Sequence, residues 1–412
     1  MPGTDNSTVL TLHQVRCMIR SCLDESPSTD IFDHINILAG TMANDVMTMV
    51  GTFLHDIRLH EPEDNLLRTL IRACPLSLSY VDEEGKLPIH AAAWTLSGCR
   101  YVGLLAEEGL KYDVGGKGNR GGLLKNVEDP ILRNRKQNVL QSLANLKCND
   151  DDDDYLYGDD DDASTRSKDS NCALTGDIIS LNTLQTLRRL ELLVKEDVVD
   201  YGLLYWSCHP EARARFDYLL GWDCNALKHN QYKGESLMHA ILGNPRREVC
   251  SFAMALKAYT RHHPDRVLEF LFQKNSCGET AFERALNRYG TTKTSDAIQD
   301  CISGDVSLPI LHYVMKHAQR FFRPFALNNS FASTDLLDEK GRSLLHCAIL
   351  NGYKVYNDND FVPVRTRLFE LEECDPITGL LPFMLAASSD ITNDLSTIYY
   401  LLRRSPTVIA KF

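Results

Sequence analysis

One order of polar and apolar positions recurs five times along the chain over eight residues: Gly85 (GKLPIHAA), Gly234 (GESLMHAI), Gly278 (GETAFERA), Gly341 (GRSLLHCA) and Gly379 (GLLPFMLA). Each copy opens on glycine and sets a large apolar residue four positions on, namely Ile89, Met238, Phe282, Leu345 and Phe383. His90, His239 and His346 come next in three copies, and four copies end on alanine. A weaker copy lies at Lys136 (KQNVLQSL), where the glycine is lost.

The chemistry of the octet predicts a helix start. Glycine tolerates positive φ and suits the tip of a turn. Ser236, Thr280 and Ser343 then stand where an N-cap hydroxyl accepts an orphan amide proton, while Pro88 and Pro382 take the first helical position. The small alanine lets a neighbouring helix approach closely. Amphipathic runs at 101–108, 266–273, 310–317 and 396–403 predict a partner helix behind the octets.

Fixed-period self-similarity is the signature of repeat architectures. A turn, a helix opening on a Gly-x-Thr-Pro-Leu-His-x-Ala pattern and a second helix together resemble the ankyrin repeat. The likeness is carried best by Gly85, Pro88, His90 and Ala92, and by Gly341, Ser343, His346 and Ala348. Departures exist: Leu87 and Leu381 fill the Thr slot, and Glu283 and Met384 the His slot. The glycines lie 149, 44, 63 and 38 residues apart, against about 33 in the family. The 63-residue gap has room for a further unit between Tyr289 and Asn328. The resemblance implies an all-α fold, an α-solenoid of stacked helix-turn-helix repeats. It covers residues 61–412, with an N-terminal helical cap at 1–60, a first repeat block at 61–146, an acidic disordered linker at 147–171 and a second block at 172–412.

Composition narrows the function. The net charge of -12 is local, because Asp150–Asp154 and Asp159–Asp162 supply nine charges within thirteen residues. No Lys/Arg stripe suits a phosphate backbone, which argues against nucleic acid. The thirteen cysteines form no CxxC pair and no zinc spacing. Many sit in apolar helical stretches, as buried free thiols do in a reducing compartment, so the expectation is cytoplasm or nucleus. The N-terminus lacks a signal-peptide pattern, and no apolar run approaches a membrane span. No membrane association and a monomeric state are expected.

Candidate chemistry reduces to scaffold. His90, His239 and His346 share one repeat position, and a catalytic base copied on successive units has no common substrate atom to serve. The pairs His262/His263 and His312/His317 lack metal-ligand partners at helical spacing. The segment GGKGNRGG, 115–122, misses the Ser or Thr that a phosphate loop places after its lysine and reads as a flexible connection. Counted from Asp150, Tyr155 and Asp161 break the calcium-loop pattern. No catalytic residue, metal or cofactor is expected.

The function that follows is a non-catalytic scaffold holding a protein partner on the concave face and turn tips. Asp82, Glu83, Lys86, Tyr232, Lys233, Glu235, Asp338, Glu339 and Arg342 flank the repeat glycines and are the expected contacts. The alternative is a ubiquitin-ligase adaptor, because residues 42–54 (MANDVMTMVGTFL) are similar to the first helix of an F-box.

Overall fold

The computed structural model describes residues 47–60, 62–128, 136–147, 170–229, 232–302, 309–328, 337–355, 368–389 and 395–411. These are mostly helical. Their only strands are a two-residue antiparallel pair, β1 (Val127–Glu128) with β2 (Lys136–Gln137). Contacts divide the chain into two units, one of residues 1–207 with 211–226 and the other of 208–210 with 227–412.

In the first unit a helix over residues 47–55 buries Val50 and Leu54. It packs so closely on Tyr80 that a Cβ on Gly51 would meet the ring at 2.5 Å. This is the segment compared with an F-box helix, and residues 42–46 lie outside the described residues. The next elements are α1 (Asp64–Ala73), α2 (Pro88–Ala93), α3 (Leu96–Cys99) and α4 (Val102–Lys111). They lead through the glycine-rich loop and the β1–β2 hairpin to α5 (Val139–Asn145). Beyond the acidic segment, which lies outside the described residues but for its ends, come α6 (Ser170–Arg189), α7 (Leu203–Ser207) and α8 (Arg213–Trp222). The boundary between units therefore does not fall at the acidic segment, because α6 packs against α3, α4, α5 and α8.

The glycine-rich loop is not the slack connection its composition suggests. It lies on α4, where a Cβ on Gly121 would sit 2.2 Å from the Ala106 carbonyl oxygen and one on Gly109 2.6 Å from the Gly121 oxygen. Arg120 ties the loop to the chain beyond α6, donating to the Leu192 carbonyl at 3.2 Å and pairing with Asp197 at 2.5 Å.

Arg215 is a charged side chain that is only 1% exposed. Its guanidinium donates to the carbonyls of Leu143 (2.6 Å) and Leu146 (2.7 Å) at the open end of α5, and to Asp177 of α6 (2.8 Å). The Asp177 carboxylate also accepts the backbone N–H groups of Ala214 (2.6 Å) and Arg215 (3.2 Å) in the first turn of α8. One ion pair thus satisfies the orphan groups of two helix ends, and it joins the chain before the acidic segment to the chain after it.

The second unit runs α9 (Leu237–Gly243), α10 (Val249–His262), α11 (Val267–Phe272), α12 (Ala281–Ile302), α13 (Ile310–His317), α14 (Gln319–Asn328), α15 (Leu344–Leu350), α16 (Pro382–Ser388) and α17 (Leu395–Arg404). Contacts pass from each to near successors: α9 and α10 on α12, α12 on α14, α13 on α15, α15 on α16 and α16 on α17. Phe282 bridges them, with ring centroids 5.0 Å from Phe272 and 5.0 Å from Phe325. Helix α12 breaks at Gly290 (φ 80). Its second arm, α13 and α14 occupy the 63-residue gap between Gly278 and Gly341.

All five octets, and the weaker one, open helices. Pro88 and Pro382 occupy the first turn as expected. Thr280 caps α12, accepting Glu283 N–H at 3.1 Å while the Glu283 carboxylate accepts Thr280 N–H at 3.2 Å. Ser343 caps α15. Ser236 differs, since its hydroxyl caps no backbone amide and serves the His239 ring instead.

Candidate partner-binding surface

Three turns ahead of the octets are built alike. Asp82 Oδ1 accepts the N–H groups of Glu84 (3.0 Å) and Lys86 (2.8 Å). Asn275 does the same for Cys277 and Glu279, both at 3.0 Å, and Asp338 for Lys340 and Arg342, both at 2.8 Å. In each, the glycine three residues on has φ of 76, 78 or 75° and returns its N–H to the Asx carbonyl. Such an Asx turn satisfies the backbone internally. The Gly379 turn is one residue longer, and Asp375 accepts Thr378 N–H (3.0 Å) and Oγ1 (2.7 Å). At Gly234 the chain reverses in two residues, Lys233 (φ 52) and Gly234 (φ 76), as in a type I′ turn.

This architecture sorts the nine expected contact residues. Glu83, Lys233 and Glu339 are exposed at turn tips. The Asp82 and Asp338 carboxylates are spent inside their turns. Lys86 is only 7% exposed, with Nζ 4.0 Å above the Trp94 ring and paired to Glu84. Glu235 pairs with Arg284 at 3.3 Å. Arg342 grips Asp375 of the following turn through two contacts, 2.6 and 3.3 Å. Tyr232 is half-buried beneath Lys233, whose Nζ lies 5.3 Å from its ring. Six of the nine therefore build and brace the tips rather than face outward. Polarity beside a glycine marked the turns correctly, and the lone Asx three residues ahead was the unread sign of which polar groups stay inside.

The sixth octet position holds consecutive elements together. His90 Nε2 donates to the Lys125 carbonyl (2.8 Å), His239 to Glu279 (3.2 Å) and His346 to Glu373 (3.1 Å). A carbonyl only accepts, so the proton sits on Nε2 and Nδ1 is an acceptor. Nδ1 takes Leu87 N–H in the first case (3.3 Å) and the hydroxyls of Ser236 (2.9 Å) and Ser343 (2.8 Å) in the others. In the weaker octet Gln141 makes the same two links, accepting Asn138 N–H at 3.0 Å and donating to the Tyr201 carbonyl at 3.0 Å. In α13 His312 is buried beside the Arg342 backbone. Matching on the octet glycine does not find it, because Ser307 stands five residues before it where the octets have glycine.

Burial lowers the pKa of His90 to about 4 and that of His239 and His346 in the same direction, while the hydrogen bond to a carbonyl pulls the other way. In the unfolded chain a histidine titrates near ~6.5. As pH falls below that value the unfolded state binds protons that the folded state refuses, so stability is lost between about 6.5 and about 4. Gln141 shows that glutamine fits the position. Changing His90, His239 and His346 to Gln should leave the melting temperature nearly unchanged at pH 7.5 and flatten its decline toward pH 5. An equally steep decline would contradict this account.

Among the described residues no group of three or more His, Cys, Asp or Glu side chains could hold a metal ion, and no helix is long and apolar enough to cross a membrane. No family model matches the chain, and no curated protein or solved structure matches it.

Proposed function

We propose that this chain is an ankyrin-type solenoid that binds a protein partner through its turn tips and concave face. The supporting observation is the internal closure of the turns: Asx side chains, positive-φ glycines and the Arg342–Asp375 pair satisfy them from within. Glu83, Lys233 and Glu339 are then presented on supports already ordered, which lowers the conformational cost of association. The serial hydrogen bonds of the sixth octet position support the solenoid reading, because each couples a helix start to the next element, as nearest-neighbour stacking requires. Cys74, Cys99, Cys208, Cys250, Cys277, Cys301, Cys347 and Cys374 are free thiols, which supports a reducing compartment.

The test replaces Glu83, Lys233 and Glu339 together with Ala in the full-length chain. Being exposed, they should change stability by less than ~1 kcal/mol. Quantitative affinity purification should lose the principal partner. An unchanged partner set with the fold intact would refute the assignment of the tips.

A further inference from the structure

Three basic side chains gather beside an aromatic cluster where α11 packs on α13. Ring centroids lie 5.5 Å apart for Phe272 and Tyr313, 5.7 Å for Tyr313 and His317, and 5.9 Å for Phe272 and His317. Phe272 is buried and Tyr313 half-buried, so packing fixes the half-buried imidazole in place. Lys316 is the neighbour of His317, and Lys274 follows Phe272 by two residues, where its backbone bridges Thr280 at the foot of the Gly278 turn. Both lysines are exposed, and the charge of each acts on the His317 ring. Among the described residues neither lysine has an ion pair or a side-chain hydrogen bond. Arginines of adjoining elements differ: Arg284 pairs with Glu235, Arg320 with Glu283 and Arg342 with Asp375. Burial, with Lys316 and Lys274 adding to it, lowers the pKa of His317, so at neutral pH the ring is uncharged and offers one N–H.

We infer that Lys274, Lys316 and His317 receive a phosphate monoester carried on a partner protein, a phosphoserine or phosphothreonine. Charge and donors match. Such a group brings about two negative charges and three acceptor oxygens, against two ammonium groups and one imidazole N–H. A carboxylate brings half that charge. Lysine binds phosphate as a point charge and needs no bidentate fork. Like charges held together destabilise the free protein through their repulsion, and a dianion between them relieves it. Two lysines are too few for the run of phosphate contacts that holds nucleic acid, or for the cluster of about four to eight basic residues that holds an anionic membrane. Only the nature of the carrier rests on reading the chain as a protein-binding solenoid. The anion site itself uses other residues than the three exposed tips, so either assignment can fail alone.

The experiment uses the full chain and two fluorescein-labelled glycine-serine peptides that differ only in phosphorylation of one serine, followed by anisotropy at low salt. The phosphopeptide should bind at least about tenfold more tightly, and inorganic phosphate should displace it. Lys274→Glu with Lys316→Glu should abolish the preference, whereas Lys274→Arg with Lys316→Arg should keep it. His317→Phe, which keeps a ring and removes the N–H, should weaken the phosphopeptide about tenfold. Circular dichroism of each variant verifies the fold. Equal binding of the two peptides, or a preference that survives the charge reversal, would overturn the inference. So would tighter binding of phosphoinositide vesicles or of single-stranded DNA than of the phosphopeptide, which would make the site a membrane or nucleic-acid contact. Replacement of Glu83, Lys233 and Glu339 should leave the preference intact, and its loss there would place the anion on the tips instead.

Discussion

Replacing Arg215 with Met should lower stability by about 3–5 kcal/mol, the range for breaking one side of a buried ion pair. The loss has two parts. Asp177, itself only 4% exposed, would keep a charge with no guanidinium beside it, and the Leu143 and Leu146 carbonyls would lose their donor. Lysine should not rescue, because a single ammonium cannot reach two carbonyls and a carboxylate as the planar fork does. The double variant Arg215→Met with Asp177→Asn should recover part of the loss, since the buried charge goes while the amide oxygen still accepts at the start of α8. Thermal unfolding should show the single variant melting about 10 °C lower, at the usual few degrees per kcal/mol for a unit of this size. A drop of only a degree or two would mean that the pair does not fasten α5, α6 and α8.

The second large effect is expected at Gly121. Its φ of 69° lies where a side chain is strained, and a Cβ would lie 2.2 Å from the Ala106 carbonyl oxygen, a backbone atom that cannot swing aside. Gly121→Ala combines about 1 kcal/mol of backbone strain with about 1–3 kcal/mol of overpacking. Gly118 supplies the control: its φ is 85°, but nothing lies within 4 Å of the added carbon. Gly118→Ala should therefore cost only about 1 kcal/mol. Urea midpoints of the two variants measure the difference. Equal costs would mean that the loop does not seat on α4.

The octets were legible because a backbone requirement, positive φ followed by a helix cap, leaves a fixed residue signature. What escaped was each role decided by tertiary placement. Glycine signals either freedom or close approach, and only the path of α4 shows that Gly121 is the second kind while Gly118 is the first. A charged residue such as Arg215 is expected outside, and nothing near it in sequence announces that the ends of α5 and α8 converge there. Helix α6 defeats periodicity because its buried face carries Asp177, Ser180 and Thr183. Two misses did have a signal. Asp82, Asn275 and Asp338 share one offset from their glycines, and Pro309-Ile310-Leu311-His312 echoes Pro88-Ile89-His90 with one residue added.

Native-state hydrogen exchange on a chain carrying Leu345→Ala tests the serial coupling of helix pairs most directly. Leu345 is fully buried in α15, and its truncation weakens one element without altering a turn. Nearest-neighbour stacking predicts that α15 loses protection most, that its contacts α13 and α16 lose less, and that α9 and α10 keep theirs. Equal loss across the whole second unit would contradict it.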